Sequence, residues 1–211
     1  MESRPNYFLA VQIKNAQIRM NASILQKHII EKNPTLTKAL IKQSSFHLTL
    51  KVLHLKNNSE VEQVKSAFVK AIEKYERDFT NEKLYLDFQG IGDFFEQILY
   101  AKLENEDVVK TRLNPVIEEI TKEITKSNVQ LANQESWKPH LTLVDLRKVK
   151  KLRKQARKLH PSLSSNFKNM RFGRELVNSI QLLSIFGPKS KENNYEIISE
   201  IIFGQEAPKC N

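Results

Sequence analysis

Cysteine is almost missing from this chain of 211 residues; the only one is Cys210. One thiol closes no internal disulfide, which fits a reducing compartment, and its place beside the C-terminus argues against a catalytic role. No stretch approaches the roughly 18 apolar residues that suggest a membrane span. The opening segment, MESRPNYFLAVQI, has no long apolar core and no clear cleavage site, so no secretory signal is expected. There is no low-complexity tract, and only the two extreme ends read as disordered. No HxH, HExxH or CxxC occurs, so the close ligand spacing of a hydrolytic zinc site is lacking.

What is present begins with charge. Lys and Arg number 34 against 24 Asp and Glu, a net +10, while hydrophobic content (40%) and charged content (27%) are those of an ordinary globular protein. Such an excess attracts polyanions, nucleic acid first among them; it also serves plain solubility.

One tetrapeptide occurs twice: His47-Leu48-Thr49-Leu50 and His140-Leu141-Thr142-Leu143. In a strand, residues i and i+2 share a face. Each copy therefore presents an imidazole and a hydroxyl together, with two leucines turned to a core. Two histidines near neutral pH provide one neutral and one protonated ring, a base and an acid for proton transfer. Two hydroxyls supply donors for the non-bridging oxygens of a phosphodiester. The nucleophile is then a ribose hydroxyl, or water on a cyclic phosphate.

The surrounding pattern is a repeat. Tyr7–Ile13 reads as a strand. Ile18, Ala22, Leu25 and Ile29 mark an amphipathic helix that ends at Asn33-Pro34. The first histidine strand covers about 45–55. A helix follows, with Ser59 and Glu62 as a capping box and Val61, Val64, Phe68, Ile72 and Tyr75 as its stripe. Lys83–Phe88 is a strand, Gly90-Ile91-Gly92 turns the chain, and Gln97–Leu103 is the next strand. A third helix carries Val109, Leu113, Val116, Ile120 and Ile124, and Pro115 either kinks it or starts it. The second histidine strand spans about 138–146, and strands near 177–186 and 195–203 follow. Tyr7 lies 40 residues before His47, and Ile98 lies 42 before His140. Leu84 lies 37 after His47, and Val177 lies 37 after His140. Equivalent positions of a duplicated unit meet at a pseudo-twofold axis, which brings the histidines face to face across a groove.

Other candidates are weaker. Lys51 and Lys138 share parity with the histidines and would line the groove if not simply solvated. His54 has the opposite parity; His28 and His160 read as structural. The segment 147–158 holds eight basic residues and a thin apolar stripe, which predicts a docked cationic helix suited to phosphate, to nuclear import or merely to solvent.

Paired HxT motifs on a duplicated α/β chain resemble the two-histidine (2H) phosphoesterase superfamily. PNYFL at 5–9, LTKA at 36–39, SFHLT at 45–49, GIG at 90–92, KPHLT at 138–142 and RFG at 171–173 narrow the likeness to the central-domain family of the mammalian nuclear-type A-kinase anchoring proteins. The resemblance implies an α+β, bilobal LigT-like fold: two antiparallel sheets facing a central cleft, helices outside, one domain over 1–211 with repeat lobes near 5–95 and 96–205 and strands exchanged between them. It implies metal-independent cleavage of 2′,5′-linked oligoadenylates or related short RNA, with no cofactor. His47 and His140 would be acid and base, Thr49 and Thr142 phosphate ligands, and Arg171, Phe94 and Tyr100 substrate contacts. The alternatives are a 2′,3′-cyclic phosphodiesterase, a 3′-end RNA trimming enzyme and a non-catalytic AMP-binding module. The expected partner is a nucleotide or oligonucleotide, and neither a membrane nor a kinase-anchoring helix is expected. A monomer in the cytoplasm or nucleus completes the expectation.

Overall fold

Alternating Val, Ile, Leu and aromatic residues favour strands, and among the described residues of the computed structural model (4–126, 129, 137–149, 158–188 and 195–203) eight form. They are β1 (Tyr7–Gln12), β2 (His47–Leu53), β3 (Tyr85–Phe94), β4 (Ile98–Leu103), β5 (His140–Asp145), β6 (Arg171–Leu176), β7 (Ser179–Ser184) and β8 (Glu196–Ile202). All pair antiparallel, in the order β6-β3-β4-β5-β2-β1-β7-β8. The helices are α1 (Ala16–Lys32), α2 (Asn58–Asn81) and α3 (Glu106–Lys126).

The fold is α+β, and the two repeats expected from the sequence can be followed through it. One repeat runs β1-α1-β2-α2-β3; the other runs β4-α3-β5 and on to β7. The third strand of each repeat crosses over: β3 pairs with β4, and β7 pairs with β1. Each half of the sheet is thus woven from both repeats. The halves are continuous at a seam between β2 and β5, where a single residue pair, Leu48 with Leu141, is in register. Beyond it the strands diverge. There β5 takes another partner: Ile41 N–H donates to Leu143 O (3.0 Å), and Leu40 bridges Val144.

The core lies on one face of this sheet. Leu48, Leu50, Leu141 and Leu143 are at most 2% exposed and pack with the helix stripes, among them Ile18 and Leu25 of α1, Val64 and Phe68 of α2, and Leu113 and Ile120 of α3. The stripes agree with the sequence periodicity; four local expectations do not. The cap of α2 is Asn57, whose Oδ1 accepts from Glu60 N–H (2.9 Å), while the Glu60 carboxylate accepts from Lys56 N–H (2.7 Å), two residues earlier than the Ser59/Glu62 box. The helix start at Pro115, one of the two alternatives there, does not form: Pro115 lies within α3, on its exposed side. Gly90–Gly92 does not turn the chain but remains inside β3. And β6, which pairs with β3 at the sheet edge, is a strand the periodicity did not mark.

Candidate active site

The seam builds the site. Antiparallel register through Leu48–Leu141 sets His47 across from Thr142 and Thr49 across from His140. All four side chains lie on the face opposite the leucines and are half-buried. His47 of one copy and Thr142 of the other line a common cavity. Where β2 and β5 part, a cavity of about 170 Å³ opens between them, lined by His47, Thr142, Ser45, Asp145, Lys148 and Tyr195. Two side chains outside the motifs hold the parting strands. Trp137 Nε1–H donates to Thr49 O (2.7 Å), and the buried Gln26 amide donates to Ile41 O (2.8 Å) and Leu143 O (2.9 Å).

Both histidines are oriented alike. His47 Nδ1 lies 2.7 Å from Ser45 O, and His140 Nδ1 lies 2.7 Å from Lys138 O. A carbonyl only accepts, so each Nδ1 carries the hydrogen, and in the neutral ring Nε2 is left as the proton acceptor. Burial lowers the His47 pKa to about 4, against the Ser45 hydrogen bond, with the Lys148 and His140 charges adding to the fall. His140 is lowered by burial too, opposed by its bond to Lys138 O and helped by the Arg147 charge.

Each ring also sits in an aromatic pair. Phe8 (4.8 Å between centroids) and Tyr195 (5.6 Å) flank His47. Phe94 (4.9 Å, edge-on) and Tyr100 (5.2 Å) flank His140 and stack on each other at 4.5 Å. Burial and the nearby Asp145 carboxylate push the Tyr195 phenol upward, so it remains a neutral donor. Asp145 is itself engaged by Arg147 through Nε (3.0 Å) and Nη2 (3.1 Å).

Among the residues singled out from sequence, the four HxT side chains, Phe94 and Tyr100 are brought together. Arg171 is not. It is exposed at the start of the edge strand β6, three strand spacings or about 14 Å from β5. Only a ligand extending across the sheet reaches it. Lys138 lies beside Phe94 and Tyr100. Burial lowers the Lys51 pKa, but Lys51 does not line the cavity beside His47. His54 bonds Arg4 O, and His160 caps the short turn at Pro161. His28 packs edge-on against Phe167, and its Nε2 is buried without a partner among the described residues. Of the basic segment, Arg147 and Lys148 close a 3-10 turn, and 150–157 lie outside the described residues. Among the described residues no three His, Cys, Asp or Glu side chains gather as a metal site, and no helix is long and apolar enough to cross a membrane.

Sequence reasoning missed Phe8, Tyr195, Trp137 and Gln26. Phe8 in β1 and Tyr195 just before β8 are far apart in the chain, and Gln26 hides within a helical stripe. Only Phe8 had a signal, inside the PNYFL segment.

Known proteins share this fold. The profile described as the AKAP7 2'5' RNA ligase-like domain matches residues 5–203. Human A-kinase anchor protein 7 isoform gamma is 34% identical over 204 residues, covering 96% of this chain; the chain spans 58% of that protein. Among solved structures, E. coli LigT complexed with ATP superposes with a TM-score of 0.58 at 12% identity, covering 96% of this chain and all of that one. Kluyveromyces marxianus Usb1 with uridine monophosphate follows at 0.52 and 13%, covering 86% and 94%. The chain has the LigT-like fold of the 2H phosphoesterases and belongs to the AKAP7 2'5' RNA ligase-like domain family.

Proposed function

We propose that this protein is a metal-independent phosphodiesterase that cleaves 2′,5′-linked oligoadenylates or closely related short RNA. The observation that carries the reading is the seam at Leu48 and Leu141, which sets the two HxT strands side by side with His47, Thr49, His140 and Thr142 on the face opposite the leucines. It supplies a base, an acid and two hydroxyl donors around one point. The nucleotide complexes of the LigT fold, with ATP and with 3'-AMP, support a nucleotide ligand there.

The steps follow from the tautomers. His47, the ring less able to hold a proton, is the base. Its bare Nε2 takes the proton of the ribose 3′-hydroxyl. The 3′-oxygen bonds to phosphorus, the bond from phosphorus to the 5′-oxygen breaks, and protonated His140 gives its Nε2 proton to that oxygen. The products are a 2′,3′-cyclic phosphate and a free 5′-hydroxyl. Thr49 and Thr142 donate to the non-bridging oxygens as charge builds. Bound phosphate itself favours the cationic ring, so His140 gains its proton as substrate enters.

The test is turnover of 2′,5′- and 3′,5′-linked triadenylate side by side, with and without EDTA. Cleavage of the 2′,5′ isomer unaffected by EDTA is expected, and His47→Ala or His140→Ala lowers it at least about 100-fold. Full turnover in either variant overturns the mechanism. Cleavage of neither isomer, with AMP still bound, points instead to a binding module.

A further inference from the structure

On the His140 side the site continues into a second concavity. In the ladder between β4 and β5, Tyr100 pairs with Thr142 and Lys102 pairs directly with His140. Cross-strand partners share a face, so the row that carries the catalytic imidazole carries the Lys102 stem as well. Lys138 stands two residues before His140, about 7 Å along an extended chain. Its carbonyl orients that ring; its ammonium is a separate feature. Lys102 and Lys138 line one cavity of about 320 Å³ whose walls are Phe94 and Tyr100. That volume is within the about 300–1,000 Å³ of small-ligand sites.

The charge there is unbalanced. A third lysine of the cavity, Lys110, is matched by Glu106 at 2.5 Å. Among the described residues Lys102 and Lys138 have no acidic partner in ion-pair reach. Two such cations beside a pair of rings, with Lys102 directly across the ladder from His140, form a receptor for an anion attached to a base. Two lysines rather than a guanidinium fork favour a point-charge phosphate contact that tolerates several geometries.

We propose that Lys102 and Lys138 form a second phosphate subsite, which binds the phosphate adjoining the scissile one on the leaving-nucleotide side. The proposal rests on the phosphodiesterase reading given above. Its ligand is either a terminal phosphate or the next internucleotide phosphate of a longer chain. The enzyme therefore discriminates by the number of phosphates a substrate carries, not by the scissile linkage alone.

The experiment is calorimetric binding, so it does not depend on turnover. The probes are three phosphorothioate-linked 2′,5′ adenylates: a dinucleotide, the same dinucleotide with a terminal 2′-phosphate, and a trinucleotide without terminal phosphates. The wild type is expected to bind the 2′-phosphorylated dinucleotide at least about tenfold more tightly than the plain one, and to lose that margin as salt rises. Lys102→Gln and Lys138→Gln each reduce the ratio several-fold, and Lys102→Arg keeps most of it. A gain by the phosphorylated dinucleotide alone identifies a terminal phosphate; an equal gain by the trinucleotide identifies the internucleotide one. Equal affinity for all three probes in the wild type, or a ratio untouched by both glutamine variants, overturns the subsite. Cleavage of the unmodified dinucleotide, measured in parallel, decides the phosphodiesterase reading separately.

Discussion

Burial and neighbouring charge act on the His47 ring in one direction, both against its protonated form. That makes the protonation of the proposed base readable as stability. The folded-state pKa, about 4, is below the unfolded value of 6.5. Between those values the unfolded chain binds the extra proton, so stability is intact above about pH 6.5 and falls as pH drops towards 4. Each pKa unit is worth about 1.4 kcal/mol, which makes the whole loss up to about 3 kcal/mol. In thermal unfolding at pH 7 and pH 5, the wild type is expected to lose several degrees more than His47→Asn, since a protein of this size shifts by about 2–4 °C per kcal/mol. Parallel losses in the two proteins would show that the native ring is not held neutral. The residues of this site were unevenly legible. Strand parity in HLTL gives the His/Thr face and the Leu face directly, because a period of two leaves no other choice. Arg171 shows the limit: a motif match carries no information on which strand lies between it and the histidines.

Among the elements, the hairpin of β3 and β4 shows how local chemistry misleads. Glycines usually mark turns, and Gly90 and Gly92 read as one. The chain instead reverses at Phe95 and Glu96, non-glycine residues at φ 55° and 57°. Asp93 Oδ1 accepting from Glu96 N–H (2.8 Å) and Gln97 N–H donating to Phe94 O (3.0 Å) hold that turn. Left-handed backbone at Phe and Glu is uncommon, so no residue signal announces it. The glycines serve other ends. Gly90, at φ 73°, sits where the pairing of β3 with β4 shifts register. Gly92 makes room: a Cβ there would lie 2.6 Å from Tyr100 Cζ. Gly92→Ala is thus expected to push the Tyr100 ring away from His140 and Phe94. AMP affinity should fall about tenfold while the melting temperature drops by only a few degrees, both readable on one preparation. Unchanged affinity would remove Tyr100 from the ligand's surroundings. The helices were easier to read, since their 3.6-residue stripes are set by burial alone, and even Pro115 is tolerated because it falls on the exposed side of α3.

Across the whole molecule, the two HxT strands meet where backbone pairing is thinnest, and the proposed chemistry lies at that join. The spacing of the repeats predicted the meeting; it did not predict the divergence of β2 from β5, because the wedge between them is made by Leu40, Ile41 and Gln26, residues with no counterpart in the HLTL motif. Gln26 ties the wedge to β5 from within the core, 8% exposed, with its amide shared between Ile41 O and Leu143 O. In Gln26→Leu the Leu143 carbonyl keeps its bond from Ile41 N–H, but the Ile41 carbonyl loses its amide donor. Stranding one buried acceptor costs about 1–3 kcal/mol, which lowers the melting temperature by roughly 2–12 °C at this chain length. The consequence for catalysis is separate. With the wedge loose, the opening between His47 and Thr142 is no longer fixed, and positioning errors near 1 Å cost about 100-fold in rate. Turnover of 2′,5′-triadenylate, measured well below the variant's melting temperature, is expected to fall at least tenfold. A variant that melts earlier yet turns over at the wild-type rate would mean that the seam stabilises the fold without setting the distance between its two catalytic halves.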